Sequence, residues 1–119
     1  MTIMNNLLIL PLILGPVFMF LGVITLLFPP KNINNFYGYR SKNSKKNIEI
    51  WKYSQKKASI GILILGLLYT SFTFLGLIFK LSINNSILFQ LLLFIILLVI
   101  YVWRIEHLII QKLKHKKSD

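Results

Sequence analysis

Three apolar blocks, each long enough to cross a bilayer, constrain this chain more than any other feature in it. They cover about residues 7–28, 58–79 and 86–104. Runs of eighteen or more apolar residues read as transmembrane helices, because about 20 residues at ~1.5 Å each cover a hydrocarbon core of ~30 Å. An ordinary soluble domain is about a quarter charged, whereas this chain is 14% charged and 55% hydrophobic. The expected fold is therefore an all-α integral membrane protein with three transmembrane helices, residues 1–119 forming one membrane domain. The first block has no Lys or Arg before it and is longer than the apolar core of a cleaved signal peptide, so it reads as a retained helix. Pro11 and Pro16 lie inside it, and Gly15 and Gly22 share one face, which suits close helix contact.

The charge is distributed unevenly. Net charge is +11, with fourteen Lys and Arg. Eight lie in one polar stretch, residues 29–57: Lys31, Arg40, Lys42, Lys45, Lys46, Lys52, Lys56 and Lys57. Five more lie in the tail, residues 104–119, and a single one, Lys80, sits between the second and third blocks. Cytoplasmic loops carry the excess of Lys and Arg. Loop and tail are thus expected inside, which puts the N-terminus outside and the C-terminus inside. On a soluble protein this charge would suggest nucleic acid. At the ends of apolar blocks it orients the chain and attracts anionic lipid of the inner leaflet, so lipid and not nucleic acid is the expected partner. The chain has no cysteine, which excludes disulfides and thiol chemistry.

Within the polar stretch, residues 44–57 have an amphipathic pattern. Lys45, Lys46, Glu49, Lys52, Tyr53, Lys56 and Lys57 fall on one half of the wheel. Ser44, Asn47, Ile48, Ile50, Trp51, Ser54, Gln55 and Ala58 fall on the other. This predicts a cytoplasmic interfacial helix capped by Asn43 or Ser44. Its uncharged face is too polar for lipid and suits docking on the ends of the bundle. Further along, Tyr69, Thr70, Ser71 and Thr73 form a polar band whose hydroxyls are expected to bond to carbonyls one turn back. Gln90 is the most polar residue expected inside the third span.

Few residues are equipped for catalysis. The acids are Glu49, Glu106 and Asp119, and the two histidines lie eight apart in the basic tail. No nucleophile–base pair, metal-ligand set or phosphate loop stands at a persuasive spacing, so neither an enzyme nor a cofactor is expected. No ionisable residue lies mid-span, as ion-coupled carriers usually require. Three spans are too few to enclose a pathway, so a channel or carrier would need a homo-oligomer. The unusual cluster is Phe36-Tyr37-Gly38-Tyr39-Arg40. Arg40 is the only arginine among the loop's bases, and its planar fork is not replaced by Lys. It reads equally as a headgroup contact or as part of a site, with Glu106 as a candidate charge partner.

The run Asn35-Phe36-Tyr37-Gly38-Tyr39-Arg40-Ser41, followed by Ser44, Asn47, Trp51 and Ser54-Gln55, resembles the signature of the SdpI family. That family is named for a membrane immunity protein against a secreted peptide toxin. Its pattern has an Asn, an aromatic-Gly-aromatic-Arg-Thr/Ser run, a Ser and an Asn at short spacing, and a Trp followed by a small residue and an amide. Pro29-Pro30 supplies the proline usual before it, while Gln55 stands where Asn or His is more frequent. The resemblance covers roughly residues 28–76. It implies protection against a membrane-active peptide, by binding the peptide or shielding its target. The site it implies comprises Asn35, Tyr37, Gly38, Tyr39, Arg40, Ser44, Asn47, Trp51 and Gln55, with a peptide toxin as partner. The alternative is a membrane-tethered module whose basic loop or tail holds a cytoplasmic partner.

Overall fold

The computed structural model describes residues 8–78 and 83–118. The described residues are helical and loop, in the order α1 (Ile9–Leu27), α2 (Ile48–Ser71), a 3-10 segment (Phe72–Leu77) and α3 (Ile83–Ser118). All three α-helices are long and apolar enough to span a membrane. The expected start of the first helix near residue 7, and part of the turn expected at 80–85, lie outside the described residues.

The principal departure from expectation is at α2. The amphipathic stretch is not a separate interfacial helix: it is the first turns of one helix that continues without a break to Ser71. The cause is local. Gln55-Lys56-Lys57-Ala58-Ser59 contains neither Gly nor Pro, and good helix formers carry the backbone through. The N-cap is Asn47, whose side chain accepts the Ile50 N–H at 2.9 Å, rather than Asn43 or Ser44. The uncharged face does pack against protein: Ile50, Trp51, Ser54, Gln55 and Ala58 are all buried.

α1 and α2 are the closest pair. A Cβ placed on Gly15 would fall 2.9 Å from the Gly66 carbonyl oxygen, and one on Gly66 would fall 2.6 Å from the Gly15 oxygen. The two backbones therefore touch where neither residue has a side chain, the arrangement that small residues allow in membranes. α3 lies mainly along α2. At ~1.5 Å per residue its 36 residues reach about 54 Å, well beyond the hydrocarbon thickness. Its C-terminal part therefore continues past the bilayer, where Ile105 and Ile109 are buried with Ile50 and Ala58.

At the opposite end of the bundle, buried polar groups join all three helices. Gln90 Oε1 accepts the Leu10 N–H at 2.8 Å, satisfying a donor in the first turn of α1 that has no partner within its own helix. Tyr69 donates to the Gln90 carbonyl at 2.9 Å. Thr73 donates to the Leu8 carbonyl, and the Thr73 carbonyl accepts the Leu8 N–H at 3.0 Å. Thr70 and Ser71 bond to carbonyls one turn back, Gly66 and Leu67. The polar band is thus consumed by structure, with Tyr69 and Thr73 serving contacts between elements.

Candidate functional site

Two consecutive prolines set the problem that the motif solves. Pro29 and Pro30 have no N–H, so they can neither extend α1 nor satisfy its last carbonyls. The chain supplies side chains instead. Tyr37 donates its hydroxyl to the Phe28 carbonyl at 2.7 Å, and Trp51 donates its indole N–H to the Pro30 carbonyl at 2.7 Å. Trp51 is fully buried, so this bond forms where water does not compete.

Gln55 fastens the next part of the loop. Its Oε1 accepts the Tyr39 N–H at 2.8 Å, and its Nε2 donates to the Tyr39 carbonyl at 2.7 Å. One side-chain amide thus pairs with both polar groups of one backbone residue. Gly38 makes the approach feasible. Its φ is +96°, and a Cβ there would lie 2.4 Å from Gln55 Oε1 and 2.6 Å from Pro30 Cγ. Only glycine combines that dihedral with that closeness.

The second Tyr39 attachment crosses to α3. Its hydroxyl donates to Glu106 Oε1 at 2.7 Å, while Asn43 Nδ2 donates to Glu106 Oε2 at 2.9 Å. The Tyr39 ring meets Tyr101 edge-on at 6.4 Å between centroids. Burial, and then the carboxylate of Glu106, hold the Tyr39 hydroxyl protonated well above the ordinary tyrosine range. Between these attachments, Ser44 closes a tight turn: its hydroxyl accepts from the Ser41 N–H at 2.8 Å and donates to the Ser41 carbonyl at 2.9 Å.

Arg40 behaves differently. Glu106, its candidate charge partner, gives its two oxygens to Tyr39 and Asn43. Arg40 itself is exposed. Tyr39, the residue before it, is the one bonded to Glu106 on α3. With Tyr39 turned toward α3, Arg40 turns outward. Asn47 also serves the backbone, as the cap of α2, rather than pairing with Arg40. Asn35 is exposed and accepts from Lys45 Nζ at 3.2 Å. The implied site residues therefore divide. Tyr37, Gly38, Tyr39, Ser44, Asn47, Trp51 and Gln55 build the loop, while Asn35 and Arg40 are left at its surface, as is Phe36, which is 92% exposed.

Several residues take roles here that the sequence reading did not give them. Asn34 Oδ1 accepts the N–H groups of Phe36 and Tyr37, at 2.9 and 2.7 Å. The tendency of Asn to close such turns marks it, but a chain rich in Asn hides it. Asn43, expected as a candidate helix cap, bonds Glu106 instead, and Tyr101 donates to the Ala58 carbonyl at 2.9 Å; local sequence does not reveal partners so distant.

Beneath the loop lies a cleft of about 260 Å³. Leu21 and Thr25 of α1, Ala58 and Ile62 of α2, and Tyr101 of α3 line it, and Phe36 to Tyr39 cover one end. Further along the bundle α1 and α3 meet through Phe18 and Phe94, whose ring centroids are 5.4 Å apart. The walls of the cleft are apolar and aromatic with a few polar groups, which suits an apolar or aromatic side chain rather than a charged solute. Among the described residues, no group of three His, Cys, Asp or Glu gathers to hold a metal.

The sequence profile of the SdpI/YfhL protein family matches residues 31–105, well over half of the chain. Among curated proteins, the chain is 32% identical over 53 residues to "Uncharacterized protein YfhL" of Bacillus subtilis (strain 168). That match covers 44% of this chain and 48% of the relative, so it spans about half the relative's length. No solved structure matches the chain. The matched region includes the loop from Lys31 onward, all of α2 and the apolar part of α3; the chain belongs to the SdpI/YfhL protein family and is a multi-pass bacterial membrane protein.

Proposed function

We propose that this protein protects the cell that makes it against a membrane-active peptide, by holding the peptide at the bilayer edge between α1 and α3. The observation that carries this reading is the cleft under the fastened loop. It is apolar and aromatic inside, is lined by residues of all three membrane helices, and is covered by a segment with Phe36 exposed in it and Arg40 exposed directly after it. A peptide partitioned into the bilayer would place an apolar side chain between Leu21 and Tyr101, while Arg40 engages a carboxylate or carbonyl on its polar part. Family membership supports the same reading, since the family is named for a membrane immunity protein.

The positive-inside rule supports a cytoplasmic position for this end of the bundle. A tag before Met1 is then accessible from outside intact cells, and a reporter after Asp119 reads as cytoplasmic. The opposite pattern would place the cleft at the outer leaflet.

The functional test is survival under peptide challenge of cells carrying wild type, Arg40→Lys, Phe36→Ala or Lys42→Arg. Arg40→Lys preserves charge and leaves every bond that fastens the loop, but loses the planar fork. The expected outcome is normal expression with the tolerated dose lowered about tenfold or more, equivalent to ~1.4 kcal/mol of lost binding, and no change for Lys42→Arg. Full protection by both Arg40→Lys and Phe36→Ala would reject the surface assigned to the peptide.

A further inference from the structure

A second cleft lies at the end of α1, sharing Thr25 and Gln55 with the first. It encloses about 340 Å³. Leu26, Pro29 and Pro30 give it an apolar side, and Lys31, Lys52 and Lys56 surround its other side. None of the residues lining it is acidic. Lys52 and Lys56 are one turn apart on α2, so their side chains rise from the same face. Lys31 reaches the cleft from the loop, directly after the prolines. Three lysines on one concavity with no acidic residue in its lining give it a positive character.

We infer that this cleft is a binding site for the headgroup of an anionic phospholipid. Its position selects a lipid over a soluble anion. Pro29-Pro30 ends the first span, so the lysines stand at the depth where a bilayer presents its phosphates. The apolar side continues along α1 through Leu26 to Leu27 and Phe28, which are 66% and 67% exposed. An acyl chain follows that surface into the hydrocarbon while the phosphodiester meets the ammonium groups. Lysine suits this geometry: its stem lies along apolar surface and its charge stays at the polar boundary. Basic pockets at the ends of membrane helices bind lipid headgroups for the same reasons. The site differs from the general attraction of a basic loop for an anionic leaflet, because it is concave and saturates at one lipid. Its lysines are separate from the surface assigned to the peptide, since neither Arg40 nor Phe36 lines it.

The structure supplies a reporter. The Trp51 indole donates to the Pro30 carbonyl, and Pro30 lines the cleft. With Trp103→Phe as background, Trp51 is the remaining tryptophan of the two in the chain. The full-length protein in uncharged detergent is titrated with short-chain phosphatidylglycerol, with short-chain phosphatidylcholine and with inorganic phosphate, while Trp51 fluorescence is followed. A saturable response to phosphatidylglycerol is expected, with weak responses to the other two. Replacing Lys31, Lys52 and Lys56 together by Gln should weaken that response at least tenfold. The same charge change at Lys42, Lys46 and Lys114 should alter it less than threefold. The single Lys52→Gln variant, on an exposed face, gives the same direction should the triple variant not purify. Equal weakening by the two triple variants would reduce the effect to overall charge and overturn the site. An equal response to phosphatidylcholine would remove the headgroup preference. An equal response to inorganic phosphate would assign the lysines to a soluble anion instead.

Discussion

Replacing Gln55 by Leu tests the fastening of the motif loop. Leucine has nearly the volume of glutamine but neither donates nor accepts a hydrogen bond. Gln55 is 3% exposed and meets both the N–H and the carbonyl of Tyr39, at 2.8 and 2.7 Å. Each buried backbone group left without a partner costs about 1–3 kcal/mol, so losing both would cost ~2–6 kcal/mol before any offset. Two terms reduce it. The leucine methyls gain from staying buried, and Tyr39 is only half-buried, so water reaches part of the exposed backbone. The expected net loss is about 2–3 kcal/mol, local to the loop, because Trp51, Tyr37 and Ser44 keep their own bonds. At ~1.4 kcal/mol per tenfold, this raises the open population of the loop about 30- to 140-fold. Residue-resolved amide hydrogen exchange reads it at Tyr39, whose N–H is the donor concerned. Lys52→Leu, on the exposed face of the same helix, should leave that exchange unchanged. A Tyr39 amide that exchanges within threefold of wild type in Gln55→Leu, with the helices intact, would refute the claim that Gln55 fastens the loop.

Other expectations follow from the same structure. Trp51→Ala should destabilise the protein by about 3–5 kcal/mol through lost packing and the lost bond to Pro30, against ±0.5 kcal/mol for Lys45→Ala or Lys52→Ala; similar melting of all three variants in one detergent would argue against docking of that face. Glu106→Gln should leave burial as the remaining main cause of the raised Tyr39 pKa, so Tyr39 ionises at lower pH than in wild type, seen as tyrosinate absorbance. The sign is fixed because the folded state holds the phenol protonated: its contribution is complete below the ordinary pKa of 10.0 and is lost as pH rises above it. Gly15→Ala would place a Cβ 2.0 Å from Thr70 Oγ1 and 2.9 Å from the Gly66 oxygen. Since backbone as well as side chain must move, α1 and α2 should separate at a cost of about 1–3 kcal/mol, read as a lowered melting temperature.

The three spans were legible in the sequence because apolar block length is a local property with one solution in a bilayer. The close contact of α1 with α2 was legible in its glycines. The polar band was legible in part, since Thr70 and Ser71 bond one turn back within their own helix. The expected break between the amphipathic stretch and the second span was not realised: charge changes abruptly at Ala58, but backbone propensity does not, and the helix follows propensity. The motif was legible as a set of residues but not as a set of tasks. Pairing Arg40 with Glu106 followed from charge alone, and only the tertiary structure decided otherwise, because Tyr39 and Asn43 take the two Glu106 oxygens and Arg40 is left exposed. Glu106 is 67 residues from Tyr39 and 63 from Asn43, and Gln90 is 80 from Leu10. Composition and periodicity carry no information at such separations. The sequence by itself determined which segments enter the membrane, through the cost of leaving apolar blocks in water. The packing of the loop on the start of α2, with Glu106 of α3 as a further anchor, determined which polar groups meet, and so which motif residues are consumed in holding the loop and which remain at its surface.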